Sequence, residues 1–257
     1  MTGAAPLLAT PGAPIPPGGA AEWFTGAGGA RLRAALFVPG GALRGSVVVS
    51  PGRTEAVEKY FEVAQRLLER GFAVLVHDWR GQGLSQRLLP DRLLGHAVGH
   101  ADFLTDYRAL LDTFAARLPK PWIALGHSMG GCLTLLALAQ GEARFSGAIL
   151  SAPMLGILTG PVPPPFAALL AVGLTLIGGG GLSVARQTTA ATPFEANILT
   201  HDRARYERNE ALVAAWPDLA LGGPTWGWLA FAFGAVFSLE HGPGAARIAA
   251  PLTVTLA

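Results

Sequence analysis

Residues 125–131 read LGHSMGG, and this stretch decides what kind of chain this is. Ser128 stands between Gly126 and Gly130. The apolar run PWIALG (121–126) precedes it and MGGCLTLLALAQ (129–140) follows it. The first run has the length and composition of a buried strand, the second those of a buried helix. A serine at so tight a strand-to-helix turn is held in a strained backbone conformation, and the flanking positions tolerate little or no side chain. Its hydroxyl then projects at the carboxyl edge of a sheet, over the positive end of the next helix. Ser128 is therefore expected to be a nucleophile aimed at a carbonyl.

Working outward, strands and helices alternate on both sides of this turn. Residues 22–25 and 31–38 read as an antiparallel hairpin, GSVVVS (45–50) as a buried strand, and EAVEKYFEVAQRLLER (55–70) as a helix ended by Gly71. A strand follows at 72–79, a helix at 100–118 and a strand at 145–153. This alternation predicts an α/β fold with a mostly parallel sheet. From Met154 the rhythm stops, and 154–245 is rich in Ala, Gly, Pro and Trp, as expected of an inserted helical cap. AARIAAPLTVTLA then returns to the core pattern. The expected organisation is a flexible lead over 1–21, a core over 22–153, a cap over 154–245 and a resumed core over 246–257.

With 257 residues, 51% hydrophobic and 14% charged, the chain can bury a sizeable core. A net charge of +2 without a basic run gives no support to nucleic-acid binding. The single cysteine, Cys132, is expected to pack in the helix behind Ser128, and cysteine usage fits a reducing, cytoplasmic compartment. FAALLAVGLTLIGGGGL (166–182) carries no charge but is short for a bilayer crossing and ends in four glycines; it reads as a lid helix that could touch a membrane surface peripherally. The histidines lack metal-ligand spacing, and IGGGGL lacks the lysine of a phosphate loop, so neither a metal nor a cofactor is expected. The sequence does not fix the oligomeric state.

Acyl transfer needs two N–H groups aimed at the oxygen that gains charge. One is expected from Met129, the residue after the nucleophile. The other is expected from the loop SPGRTE (50–55), where Gly52 supplies an unusual backbone angle and Arg53 the N–H, its side chain being incidental. HDWRGQGLS (77–85) reads as structural, with Asp78 and Arg80 paired to brace the loop and His77 in the core. His127 adjoins Ser128 in sequence, but across such a turn it points elsewhere, as a hydrogen-bonding support.

The elbow, together with GRTEAVEKYFEVAQRLLERGFAVLVHDWRGQGLS upstream, resembles the α/β-hydrolase superfamily. Within it the chain looks like the monoacylglycerol lipase and bacterial lysophospholipase group, the serine aminopeptidase-like hydrolases. The resemblance runs from about residue 22 to the end and is strongest over 45–153; RYERNEALVAAWPDLALGGPTWGWL in the cap shares it. One departure is that Pro51-Gly52 stands where relatives commonly have His-Gly. The resemblance implies a triad in the order Ser, acid, His, with the acid just after a strand like PLTVTLA and the histidine some tens of residues later. The sequence is accordingly expected to be truncated before both. His201, His241, Asp202 and Asp218 all precede that strand and read as cap or loop residues. The implied lineage is a serine ester hydrolase acting on a small lipid ester with one acyl chain, a lysophospholipid or a monoacylglycerol. A peptidase of the same fold and an inactive fragment or pseudoenzyme are the alternatives. Trp226, Trp228, Phe231 and Phe233 are expected to pack the cap onto the core rather than to line an entry.

Overall fold

The computed structural model describes residues 3–185, 193–197, 199–242 and 244–256. Along the chain run β1 (Gly3–Ala5), β2 (Gly19–Thr25), β3 (Arg31–Phe37), β4 (Gly45–Ser50), α1 (Phe61–Leu68), β5 (Phe72–His77), α2 (His100–Phe114) and β6 (Trp122–His127). Then follow α3 (Met129–Ala139), β7 (Phe145–Ser151), α4 (Pro164–Leu176), α5 (Arg203–Ala215), α6 (Trp226–His241) and β8 (Leu252–Thr255). The strands join in one sheet of order β1-β2-β3-β5-β4-β6-β7-β8. The hairpin side is antiparallel through β5, and β5-β4-β6-β7-β8 is parallel.

Alternation of side chains along each strand divides the core into two apolar layers. Val48 of β4 and Leu75 of β5 face the layer built with α2, α3 and α6, where Phe103, Leu110, Leu133, Leu136 and Phe231 are buried. Val47, Val49, Val74 and Val76 face the opposite layer, built with Phe61, Ala64 and Leu68 of α1. α3 is apolar all round because it is buried, as a helix clamped between sheet and neighbours must be. This is an α/β-hydrolase fold.

Two sequence expectations need correction. The lead was expected to be flexible, yet β1 pairs with β2 in the register Gly3↔Trp23 to Ala5↔Ala21, and β2 itself begins at Gly19. Its backbone is held by groups far away in sequence: Pro6 O accepts from Arg33 Nη1, and Leu8 N–H donates to Glu58 Oε1. Composition carries no trace of such partners. The helix expected from residue 55 begins at Phe61, after a 3₁₀ turn over Val57–Tyr60, because Glu55 and Glu58 are drawn into buried hydrogen bonds.

The region expected to be a cap holds α4, α5 and α6; residues 186–192, 198 and 243 lie outside the described residues. α6 packs directly on the core, with Phe231 stacked on Phe103 at 4.7 Å between ring centroids. α4 has 13 residues, and among the described residues no helix is long and apolar enough to cross a membrane. β8 forms the outermost strand, and its side chains are exposed.

Candidate active site

The site sits where the sheet changes direction. From β4 the chain crosses to β5 on one side, and β6 returns to the other. Crevices outside the carboxyl ends of such strands are where open α/β sheets bind ligands. The parallel register pairs Ser50, the last residue of β4, with Gly126 in β6. The loop leaving β4 and the elbow leaving β6 are therefore neighbours.

Ser128 has φ 50° and ψ −119°, a region that side-chain-bearing residues rarely enter. Three hydrogen bonds impose it. Ser128 N–H donates to Ser151 O (3.0 Å), and Ser128 O accepts from Cys132 N–H (3.1 Å) and Met154 N–H (2.9 Å). Gly130 is required by proximity: a Cβ there would lie 2.1 Å from Ser50 O and 2.4 Å from Pro51 O. This contact packs the first turn of α3 onto the loop that carries Arg53.

That loop is fixed atom by atom. Trp79 Nε1–H donates to Pro51 O (2.8 Å). Glu55 Oε2 accepts from Gly52 N–H (2.5 Å), Gln82 Nε2–H donates to Gly52 O (3.0 Å), and Gln82 Oε1 accepts from Thr54 N–H (3.2 Å). Thr54 Oγ1–H donates to Arg53 O (2.6 Å). Among the described residues, the Arg53 and Met129 amides are left without a protein acceptor. The unusual backbone angle belongs to Thr54 (φ 64°) and not, as expected, to Gly52. Gly52 is instead needed for space, since a Cβ there would lie 2.9 Å from Glu55 Oε2 and 3.1 Å from His127 Cδ2.

Glu55 is the anchor of the loop. It also accepts from Tyr60 Oη–H (2.5 Å) and from Lys59 Nζ (2.6 Å). Burial pushes its carboxyl pKa up, but Lys59, His127 and the Tyr60 hydroxyl outweigh burial and hold it below the usual carboxylate range. Tyr60 correspondingly titrates well above its ordinary value, through burial and the Glu55 charge. Glu55, Trp79 and Gln82 did not emerge from the sequence. The one available signal was Gln82 between two glycines in RGQGLS.

Asp78 and Arg80 do not pair with each other. Asp78 receives Arg33 Nε (2.7 Å), Val57 N–H (2.9 Å) and Leu84 N–H (2.8 Å). Arg80 binds Asp106 (2.5 Å) and Asp102 (2.8 Å) on α2. Both side chains brace the loop after β5, and both do so through partners that only the fold brings near. Gly83 (φ 51°) lets that loop wrap the Asp78 carboxylate, whose Cγ would be 2.2 Å from a Cβ. His77 is buried against Trp79 (ring centroids 4.3 Å), and burial lowers its pKa to about 3. Cys132 is fully buried, and burial raises its thiol to about 12.

His127 faces away from Ser128. Its Nδ1 bonds Ser151 O (3.1 Å), its Nε2 lies 3.6 Å from Glu55 Oε1, and it lines a cleft of about 450 Å³ that Ser128 does not reach. His201 is exposed, and His241 bonds Phe237 O on its own helix (3.2 Å). Among the described residues no histidine or carboxylate hydrogen-bonds Ser128 Oγ, and no group of three His, Cys, Asp or Glu could hold a metal. Beyond Met129, a narrow crevice is lined by Gln82, Gly95, His96, Phe103 and Trp228.

Over residues 41–257 the sequence matches the model of the family described as Hydrolase_4: Serine aminopeptidase, S33. The chain belongs to that family. This S33-family chain is similar to lysophospholipase L2 of Escherichia coli strain K12, at 38% identity over 189 residues, which cover 71% of this chain and 54% of the relative. It is also similar to a monoacylglycerol lipase of Mycolicibacterium smegmatis, at 30% identity over 186 residues, 69% of this chain and 64% of the relative. The chain thus spans little more than half the length of the curated relatives it matches. A crystal structure of a soluble variant of monoglyceride lipase from Saccharomyces cerevisiae shares the fold, with TM-score 0.69 and 19% identity over 97% of this chain and 79% of that one.

Proposed function

We propose that this S33-family chain carries the acyl-transfer centre of a serine ester hydrolase acting on lipids with a single acyl chain. The observation that carries this reading is the pairing of a strained, partly accessible Ser128 with two amides, Arg53 and Met129, that have no protein acceptor among the described residues. Ser128 Oγ attacks the ester carbonyl carbon. The carbonyl oxygen takes the negative charge and is held by the two amides, preorganised so that little rearrangement accompanies the reaction. The alcohol leaves with the proton that the Ser128 hydroxyl gives up, and water then cleaves the acyl-serine, releasing the acid and restoring the hydroxyl. The E. coli and M. smegmatis relatives, named a lysophospholipase and a monoacylglycerol lipase, support the substrate class.

The apolar face of α4 supports contact with a lipid surface. Phe166, Leu169, Leu176 and Ile177 are 67–81% exposed, and the helix carries no charge. Such a face would let the chain draw a monoacyl lipid from a membrane or micelle.

A second reading, a non-catalytic protein of this fold, is favoured by one observation: no imidazole bonds Ser128 Oγ among the described residues. A fluorophosphonate probe and a short-chain p-nitrophenyl ester distinguish the two. Labelling and turnover that both vanish in Ser128→Ala support the hydrolase. Labelling without turnover supports the second reading, and wild-type protein that does not label rejects a primed serine altogether.

A further inference from the structure

Arg53 has a side chain as well as an amide, and the two do different things. Its Nη2–H donates to Gly222 O (2.6 Å), across from the loop to the segment before α6. The guanidinium carbon stands 5.0 Å from the centroid of the Trp228 ring, and a Cβ on Gly95 would meet Nη2 at 2.6 Å. Nε is buried with no hydrogen-bond partner. Arg33 is neutralised by Glu58 and Asp78 and Arg80 by Asp106 and Asp102, whereas the Arg87 side chain, also without an ion pair among the described residues, is taken up by three carbonyls, Gly81 O, Asp218 O and Ala220 O. Among the described residues Arg53 has no carboxylate within ion-pair distance, and burial alone lowers its pKa to about 10.

A cation removed from water without a counter-charge is costly, and a carbonyl with one aromatic face compensates it only in part. Glu55, two residues on, is engaged by Gly52, Lys59 and Tyr60, so it does not serve. The guanidinium keeps donors for a planar, bidentate anion, the geometry that phosphate oxygens match. One class of lipid has a matching number of bonds. As many bonds separate the Arg53 amide nitrogen from its guanidinium carbon as separate the ester carbonyl carbon of a 1-acylglycerol 3-phosphate from its phosphorus.

We propose that the Arg53 side chain is a phosphate subsite beside the acyl-transfer centre, which selects phosphate-bearing monoacyl glycerolipids over neutral monoacylglycerols. This rests on the ester-hydrolase reading for its substrate, while the site itself is tested by binding alone. Non-hydrolysable ethers serve as probes, a 1-O-alkylglycerol 3-phosphate and the matching 1-O-alkylglycerol, each titrated below its micellar concentration into the intact chain. The expected result is a phosphate ether that binds about tenfold or more tightly than the neutral ether, an advantage that shrinks as salt rises. Arg53→Met should abolish most of that preference and Arg53→Lys should keep part of it.

Equal binding of the two ethers by the wild type, which needs no variant to fold, overturns the proposal. So does a preference that survives in Arg53→Met. Inorganic phosphate that binds as tightly as the phosphate ether assigns the subsite to a free anion and overturns the lipid assignment. Failure of Ser128 to label, with the ether preference intact, sinks the hydrolase reading and leaves the subsite standing.

Discussion

Gln82→Leu is the sharpest test of how the site is built. Gln82 is 4% exposed and holds the loop at two points, Gly52 O and Thr54 N–H, on either side of the Arg53 amide. Leucine keeps the bulk and removes both bonds. Gly52 is buried, so its orphaned carbonyl should cost about 1–3 kcal/mol of stability; Thr54 is exposed, so water can replace its lost partner. With Glu55 still gripping Gly52 N–H, the loop should loosen rather than unfold, and the Arg53 amide should drift from its aim. Complete loss of an oxyanion donor typically costs about 10²–10³ in rate, so a loosened one should cost about tenfold to a hundredfold. The assay is the second-order rate of fluorophosphonate labelling at Ser128, read beside the thermal midpoint. Leu68→Ala, in the opposite core layer, supplies a comparable stability loss remote from the loop. Gln82→Glu should label at least as slowly as the leucine variant, because it loses the donor to Gly52 and adds negative charge beside the developing oxyanion. If Gln82→Leu labels like wild type while melting like Leu68→Ala, the positioning argument fails.

Ser128→Gly should abolish labelling yet raise stability by about 1–3 kcal/mol, because glycine relieves the φ 50° conformation; a lower thermal midpoint would show that the backbone there is unstrained. Arg33→Met should cost about 3–5 kcal/mol in urea unfolding, since it leaves Glu58 and Asp78 buried without their counter-charge, and it should speed amide exchange at Leu8, whose acceptor is Glu58. His77 stays neutral in the fold and becomes protonated in the unfolded chain between pH 6.5 and about 3, so the unfolded state binds the extra proton and stability falls as pH drops through that window. From pH 7 to pH 5 this amounts to about 2 kcal/mol, and His77→Phe should remove that share of the acid sensitivity; an unchanged pH profile in the variant would refute the assignment.

The elbow was legible because its requirements are local. Gly126, Ser128 and Gly130 must be adjacent along the chain for the turn to close, and the flanking runs announce strand and helix by their apolar length. The same holds for the α/β alternation, since the two-residue period of strands and the 3.6-residue period of helices are written into neighbouring positions. Asp78 and Arg80 show where such reading stops. Their charges are two residues apart, which suggested a pair, yet in β geometry and the turn that follows they diverge to Arg33 and Asp106, which the fold delivers from elsewhere. The lead over residues 1–21 failed for the same reason, its order coming from Arg33, Glu58 and β2.

The amino-acid order alone therefore determined the sheet-and-helix class, the family resemblance and the serine at its centre, all consequences of contacts within a few residues. Only the folded chain decided that Gln82, Trp79 and Glu55 hold the Arg53 loop at Pro51 O, Gly52 N–H, Gly52 O and Thr54 N–H, and that among the described residues the largely buried Arg53 guanidinium has no carboxylate within ion-pair distance. Those are long-range pairings, set by which strands lie side by side, and no spacing along the sequence encodes them.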